Sequence, residues 1–404
     1  MSIRFLSLLA LSFASSACVT TSVNDSPDAS SNTPVTPDGS TPALDGGTEA
    51  STSPAGWTFK KHGCPGPNRT DALFEDTDGA LWVGCGTNAV GYGLYFSKNG
   101  GDSWEKATGS PTLEQFRVNT IERGTDGALY IGGVNENDGT GNRVLKLEGA
   151  AAPFTVTPVL VAENVVGKSF TVGTFRNLPN GAAVAESLTG TDALFRPSAT
   201  AGASAAGWTD VSNALSGGTP AEQLLDLVVH DGKLYGAGSR IAEPPYVFVP
   251  TPGATNPYEL TRVNLPREGG GAWTGEMWGI AANADRVVVV GENQNAHTGR
   301  IYVNTGDRTS AEAYVETNLS SIVGAATDWT WARGVCQVGQ RVVVVGEKQP
   351  LGSSTGLVVL SDDGGKTFTN ITPAEVTDTV SKCQARPDGT IVVAGAGGFV
   401  GFYR

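Results

Sequence analysis

The sequence predicts an all-β protein: a seven-bladed β-propeller of four-stranded antiparallel blades, the last blade closed by an N-terminal strand. Three observations lead there: a strand motif that returns seven times, glycine spread through the whole chain, and a domain length that matches seven units. The motif reads DGALWVG ending at Gly84, DGALYIG at Gly132, NGAAVA at Ala185, DGKLYG at Gly236, DRVVVVG at Gly291, QRVVVVG at Gly346 and DGTIVVAG at Gly395. Successive copies lie 48, 53, 51, 55, 55 and 49 residues apart. The 54 glycines recur at intervals rather than in one tract, which points to many tight turns between short strands.

Each unit reads as a strand, a polar Asp-Gly or similar turn, an apolar strand, a longer polar loop, and a third strand such as GLYFS, RVLKLE, ALFRPS, YVFVP, RIYVN or GLVVLS. A fourth strand follows, often opened by Trp or Phe, and four antiparallel strands make one propeller blade. Residues 56–404 supply 349 positions, and seven blades of about 50 residues need about 350. The last unit runs out after its third strand, GFVGFYR, while the domain opens with a lone strand, GWTFKKH, similar to the fourth strand GWTDVS. Trp57 to His62 are therefore expected to complete the final blade, which removes two free sheet edges. A β-helix needs shorter repeats, and a TIM barrel needs a helical periodicity that no segment shows.

Before this domain, Arg4 and the apolar stretch Phe5 to Ala14 lead to Ser15-Ser16-Ala17-Cys18, a secretory signal too short to span a membrane. The Ser-Ser-Ala-Cys ending resembles the lipobox of bacterial lipoproteins, with Ser15 in place of a larger aliphatic residue, and this resemblance implies lipidation of Cys18. Ordinary cleavage with a soluble product is the alternative. Residues 19–55 are Ser, Thr, Pro, Asp and Gly with almost no large apolar side chain, a composition that does not offset ordering entropy and reads as a disordered tether. The expected organisation is a signal peptide at 1–18, a tether at 19–55 and the propeller at 56–404. The expected product is a monomer in the bacterial cell envelope, meeting the outer membrane or cell surface only through its lipid.

The formal net charge of −13 and the absence of a basic run exclude a phosphate-backbone partner, because nucleic-acid binders need a basic patch. If Cys18 carries lipid, Cys64, Cys85, Cys336 and Cys383 remain, and an even number in an oxidising compartment suggests two disulfides. Of the three connectivities, Cys64 with Cys85 and Cys336 with Cys383 is favoured, because each pair falls within one blade or neighbouring blades; four buried thiols are the alternative. With three histidines and no Cys-x-x-Cys or Cys/His spacing, no metal and no cofactor are expected.

Two turns between third and fourth strands carry a sharper signature. Ser97-Lys98-Asn99-Gly100-Gly101-Asp102-Ser103-Trp104 and Ser361-Asp362-Asp363-Gly364-Gly365-Lys366-Thr367-Phe368 both fit Ser-x-Asp/Asn-x-Gly-x-Ser/Thr-aromatic, which resembles the Asp box, or BNR repeat, of the sialidase-like and sortilin-like propellers. Val303-Asn304-Thr305-Gly306-Asp307 resembles a decayed third copy. In such a turn the Asp or Asn accepts backbone N–H groups, the glycine takes positive φ, and the aromatic anchors the hairpin. Ser97, Asn99, Gly101, Trp104, Ser361, Asp363, Gly365 and Phe368 are therefore assigned to folding. Propellers with this motif include sialidases, xyloglucan-active hydrolases, sortilin-type receptors and photosystem assembly factors, so the resemblance implies fold and not function. It also implies that these turns face away from the binding site.

Ligands of propellers usually sit over the central channel, on the face built by the second-to-third-strand loops and the links entering each blade. Here that rule selects the polar loops around Asn135-Glu136-Asn137-Asp138, Glu292 to His297 and Glu347-Lys348-Gln349, and the links holding Trp273, Trp278, Trp329 and Trp331, with Arg333 just inside. Indole faces beside carboxylates and amides suit a sugar; packing between blades is the alternative for each Trp, and a solvated loop for each acid. The binding candidates are Trp278, Trp331, Arg333, Glu292, His297 and Glu347. A sialidase resemblance fails at Phe116-Arg117-Val118-Asn119, which matches only the first two letters of Phe/Tyr-Arg-Ile-Pro. No Gly-x-Ser-x-Gly, His-Glu-x-x-His or phosphate loop occurs, so no catalytic residue is assigned. The sequence thus points to a propeller binding a glycan or envelope protein without catalysis, with a single-propeller glycoside hydrolase, sialidase-like enzyme or lyase as the alternative.

Overall fold

The computed structural model describes residues 56–404 apart from 66–68, 87–89, 136–140, 167–170, 188–192, 199–206, 213–222, 240–243, 268–274, 325–328 and 350–353. The signal peptide, Cys18, the tether, Trp273 and Glu136 to Asp138 lie outside the described residues. After a first strand β1 (Trp57–Lys61), blade 1 is β2 (Arg69–Glu75), β3 (Leu81–Gly86), β4 (Gly91–Ser97) and β5 (Glu105–Lys106). Blade 2 is β6 (Arg117–Arg123), β7 (Leu129–Asn135), β8 (Gly141–Glu148) and β9 (Thr155–Val161). Blade 3 is β10 (Val172–Asn177), β11 (Ala183–Ser187), β12 (Ala193–Arg196) and β13 (Thr209–Asp210), and blade 4 is β14 (Gln223–His230), β15 (Lys233–Ser239), β16 (Tyr246–Pro250) and β17 (Leu260–Asn264). Blade 5 is β18 (Gly275–Ala282), β19 (Val287–Asn293), β20 (Thr298–Asn304) and β21 (Tyr314–Asn318), and blade 6 is β22 (Trp329–Val338), β23 (Arg341–Gln349), β24 (Thr355–Ser361) and β25 (Thr369–Asn370). Blade 7 is β26 (Val380–Ala385), β27 (Ile391–Gly395) and β28 (Phe399–Tyr403), with β1 as its outer strand.

The expected closure is present: β1 pairs antiparallel with β28, Trp57 opposite Tyr403 and Lys61 opposite Phe399. Trp57 is buried, its indole N–H donates to the Ile371 carbonyl at 3.0 Å, and its ring lies 5.1 Å from that of Tyr403. The first strands of all seven blades touch in a ring, β2 to β6 to β10 to β14 to β18 to β22 to β26 and back to β2. Among the described residues one extra bridge, Ser239 opposite Glu276, links the sheets of blades 4 and 5.

The core lies between blades. Val287 and Val289 of β19 pack toward blade 4, whereas Val288 and Val290 pack toward blade 6. Each central strand is buried on both faces, which is why the repeats read as unbroken runs such as VVVV rather than alternating apolar and polar residues. The seam between blades 7 and 1 has a small apolar cluster, Leu81, Val392, Ala394 and Val400 with a few partly buried partners. Polar contacts reinforce it: Glu75 is gripped by Arg386 at 2.6 Å, and Thr70 Oγ1 donates to the Gly395 carbonyl at 2.9 Å while meeting buried His62. Cys64 is bonded to Cys85 and Cys336 to Cys383, the favoured pairing.

Strands in a blade alternate in direction, so the third-to-fourth-strand turns lie at one rim and the second-to-third-strand loops at the other. At the first rim Ser97 Oγ accepts from Gly101 N–H at 2.8 Å, and Asn99 Oδ1 accepts from Ser103 N–H at 3.0 Å. Ser361 Oγ likewise accepts from Gly365 N–H at 2.8 Å, and Asp363 Oδ1 from Lys366 and Thr367 N–H at 3.0 and 2.9 Å. Gly101 and Gly365 have φ of 91° and 88°, which only glycine adopts without strain. Trp104 caps the blade 7/1 seam and Phe368 the blade 5/6 seam. Val303 to Asp307 keeps one part of this turn, Asn304 Oδ1 accepting from Gly306 N–H at 2.8 Å.

Candidate functional site

At the opposite rim the first strand of every blade carries one extra residue at the same level. Its pairing with the second strand slips between Thr70 and Ala72, Val118 and Thr120, Val172 and Thr174, and Leu224 and Asp226. The same slip occurs between Met277 and Gly279, Ala332 and Gly334, and Val380 and Lys382. The skipped residues are Asp71, Asn119, Gly173, Leu225, Trp278, Arg333 and Ser381. Such a bulge re-aims a side chain, and six of the seven, Asn119 to Ser381, line a cavity at the channel mouth.

The bulges explain the glycine that ends several repeats. A Cβ on Gly133, Gly291 or Gly346 would stand 1.9 Å from the carbonyl oxygen of Arg117, Glu276 or Trp331, and one on Gly395 would stand 2.2 Å from that of Thr379. Measured from the bulge, the equivalent residues are Cys85, Gly133, Ser187, Gly238, Gly291, Gly346 and Gly395. The repeat endings Gly84, Gly132, Ala185 and Gly236 are therefore one or two residues out of step, because small residues stand next to one another at these strand ends.

All six binding candidates gather on blades 5 and 6, Arg333 and His297 on the elements expected and the other four on different ones. Trp278, Trp329 and Trp331 lie on first strands rather than on the links, and Glu292 and Glu347 end the second strands β19 and β23, both 7% exposed, rather than sitting in solvated loops. On blade 6 Arg333 grips Glu347 inside the sheet. Its guanidinium Nε and Nη2 donate to Glu347 Oε1 at 2.9 and 2.6 Å, and Glu347 Oε2 accepts from Thr379 Oγ1 at 2.7 Å. The same guanidinium lies 5.2 Å from the Trp278 ring and 5.5 Å from the Trp331 ring. Trp331 meets Trp329 edge-on at 5.8 Å, and Trp329 stacks on His297 at 3.9 Å with 46% of its surface exposed. A continuous ladder thus runs from solvent at Trp329 down to the channel wall at Arg333 and Trp278.

The two acids differ. Burial pushes Glu292 up to about 7, with Arg333 opposing and Glu276 and Glu347 adding to the rise. Its Oε2 is buried without a hydrogen-bond partner, as is Nε1 of Trp278, which stands close enough to ease that rise without completing a bond. Burial also raises Glu347, but the charge of Arg333 and hydrogen bonds from Thr379 and Arg333 overcome it and hold its carboxyl below the usual range. Glu276 is pushed up by burial, against a hydrogen bond from Gln294 and the charge of Arg333.

Sequence reasoning missed a second group across the channel on blades 2 to 4. Arg176 pairs with Asp226 at 3.3 Å and donates to Thr120 Oγ1 at 3.0 Å; Asp226 accepts from the N–H groups of Leu227 and Ile280 at 2.9 and 3.2 Å. Behind it Glu186 is fully buried, and burial followed by the Asp226 charge pushes its carboxyl well above the usual range. Glu122 is pushed up to about 7 by burial, against Arg176 and the Asn177 N–H. The signal available in the sequence was polar residues inside first strands, as in RVNTIER and VGTFRN. Among the described residues no three His, Cys, Asp or Glu side chains gather to hold a metal ion.

No protein-family profile matches the chain, and no curated protein matches it. Solved structures similar to it are propellers. "YCF48 bound to D1 peptide" is 16% identical, with a TM-score of 0.54 over 86% of this chain and 96% of that one. Virginiamycin B lyase from Staphylococcus aureus is 10% identical, with a TM-score of 0.53 over 86% and 98%. A GH74 enzyme of Niastella koreensis is 15% identical, with a TM-score of 0.52 over 85% of this chain and 53% of that one. These likenesses establish the fold, a seven-bladed β-propeller shared by binding proteins and enzymes.

Proposed function

We propose that this chain is an envelope propeller that binds a glycan, without catalysis, at the channel mouth over blades 5 and 6. The observation that carries the reading is the ladder from exposed Trp329 through Trp331 to Arg333 and Trp278, flanked by Glu292 and Glu347. A sugar ring stacks its C–H face on indole, while its hydroxyls bond to the carboxylates and the guanidinium. Secretion fits the two disulfides, and among the described residues no helix is long and apolar enough to cross a membrane. Lipidation at Cys18, the tether and a place in the Asp-box superfamily belong to the same reading, resting on the sequence motifs and on the bonded geometry of the two Ser-x-Asp/Asn-x-Gly turns. A glycan array probed with the chain and with Trp329→Ala tests it: selective binding lost in the variant is the expected outcome. A blank array, with a pull-down returning one stable protein, replaces the glycan by a protein partner.

One observation favours a second reading, a glycan-active enzyme. Glu292 and Glu347 share Arg333, and their environments push one pKa up and the other down, the arrangement of a proton donor beside an ionised base. Turnover of fluorogenic sialosides or a polysaccharide panel that disappears in Glu292→Gln establishes this reading and ends the binding-only one.

A further inference from the structure

We propose that His297 is a positioning residue: it holds the indole of Trp329 across the seam between blades 5 and 6, in the orientation that receives a saccharide ring, without itself bonding to the ligand. The ligand part rests on the glycan reading, whereas the hold on Trp329 stands without it. His297 lies in the second-to-third-strand loop of blade 5, between β19 and β20, and Trp329 opens the first strand of blade 6. The two rings stack at 3.9 Å with 21° between their planes.

The backbone on both sides of the stack is fixed. Asn293 Oδ1 accepts from the N–H groups of Asn295 and Ala296 at 3.0 and 3.1 Å, which turns the chain just before His297. The His297 carbonyl then accepts from Thr330 N–H at 2.9 Å, and further along the loop Gly299 N–H donates to Thr330 Oγ1 at 2.9 Å. Thr330 is fully buried, and its Oγ1 also meets Ser320 Oγ at 2.8 Å. Because Thr330 follows Trp329 in the chain, this latch ties the backbone that carries the indole to the loop that carries the imidazole. A Cβ on Gly299 would stand 2.7 Å from Leu319 Cδ2, so the loop lies close against the seam. A half-exposed indole at a strand end has rotamer freedom to lose, and losing it on binding costs affinity. The imidazole stack removes that freedom beforehand.

The backbone of His297 shows that the ring is what this residue supplies. Its φ is 50°, and the other non-glycine with positive φ among the described residues is Asp231, in the tight Asp231-Gly232 turn. In the second-to-third-strand loop of blade 7 the positive φ values fall on Gly397 and Gly398. Glycine meets that requirement without strain, and asparagine meets it more readily than a larger side chain. Histidine brings to the same backbone a flat ring laid on Trp329. Non-glycine residues held in the left-handed region concentrate at ligand sites, where the surrounding structure fixes them.

The test pairs a ligand-free signal with a titration. The full chain is labelled with 5-fluorotryptophan, the Trp329 fluorine resonance is identified by its loss in Trp329→Phe, and cellohexaose, chitohexaose and hexagalacturonate are titrated by calorimetry. The Trp329 resonance is expected to be single and narrow in the parent, and broadened or split in His297→Asn, which keeps the loop backbone and removes the ring. The saccharide that the parent binds should bind His297→Asn about tenfold or more weakly, and His297→Phe, which keeps a ring and loses both nitrogens, should stay close to the parent in both readouts. A single narrow resonance in His297→Asn overturns the proposal. So does unchanged saccharide affinity in that variant. Loss of affinity in His297→Phe with the resonance still narrow also overturns it, by assigning a ligand bond to the imidazole nitrogens. If the parent binds none of the three saccharides, a broadened resonance in His297→Asn supports the hold on Trp329 while the glycan reading fails on its own. The asparagine variant decides the matter if His297→Phe does not fold.

Discussion

The two Ser-x-Asp/Asn-x-Gly turns and the channel mouth treat polar groups in opposite ways. In the turns the polar side chains are answered by their neighbours: Ser361, Asp363 and Thr367 bond one another and the backbone within eight residues of chain. At the channel mouth, carboxyls and guanidinium groups from different blades are buried together, and Glu292 Oε2, Trp278 Nε1 and both oxygens of Glu186 lack a hydrogen-bond partner. A buried polar group left unanswered costs stability. Departures of this kind concentrate where a protein works rather than where it folds. Those two turns are built for stability and the mouth against it.

The strongest way to break the comparison is to uncouple the mouth's central ion pair. Arg333→Met leaves Glu347 buried without its partner, and urea unfolding is expected to register a loss of about 3 kcal/mol. Arg333→Met with Glu347→Gln should recover a good part of that loss; a double variant no better than the single one would show that Arg333 acts by packing alone.

Titration sharpens the same contrast. The folded chain keeps a proton on Glu292 up to about 7 that the unfolded chain releases near 4.5. The folded state therefore binds more protons between those values, and stability falls as pH rises through that window, then levels off. Its share is roughly 3 kcal/mol. Glu122 contributes a slope of the same sign. Unfolding free energies measured from pH 5 to 8 should decline less steeply in Glu292→Gln than in the parent, and parallel slopes would contradict the assignment.

Smaller effects belong to the far rim and to the platform. Ser361→Ala removes the acceptor of the Gly365 N–H and should lower stability by about 1 kcal/mol with glycan binding unchanged. Trp329→Ala should change stability by less than about 0.5 kcal/mol, given its exposure, while weakening any saccharide bound at the mouth. A large drop in melting temperature for Trp329→Ala would mean that the ladder packs the blades instead of facing a ligand.

The fold was legible because its signals are local and repeated: a turn every dozen residues, a run of small apolar residues in each second strand, and GWTFKKH left without a partner until GFVGFYR. The site was legible on blades 5 and 6, where bulky Trp278, Trp331 and Arg333 drew attention. It was illegible on blades 2 to 4 and 7, where Asn119, Gly173, Leu225 and Ser381 hold the same positions without standing out. A bulge inserts one residue into a strand of period two, and no residue type marks it. Arg176 and Lys382 were invisible as channel groups because only closure of the ring brings blades 3, 6 and 7 to a common axis.

The most direct test of the contrast needs no ligand: the unfolding free energies of Glu292→Gln and Ser361→Ala, each against the parent at pH 8. Opposite signs are expected, Glu292→Gln more stable by about 1 kcal/mol because a buried charge is removed, and Ser361→Ala less stable by a similar amount. Destabilisation by Glu292→Gln at that pH would contradict the account, since the mouth would then be held together by the very group said to strain it.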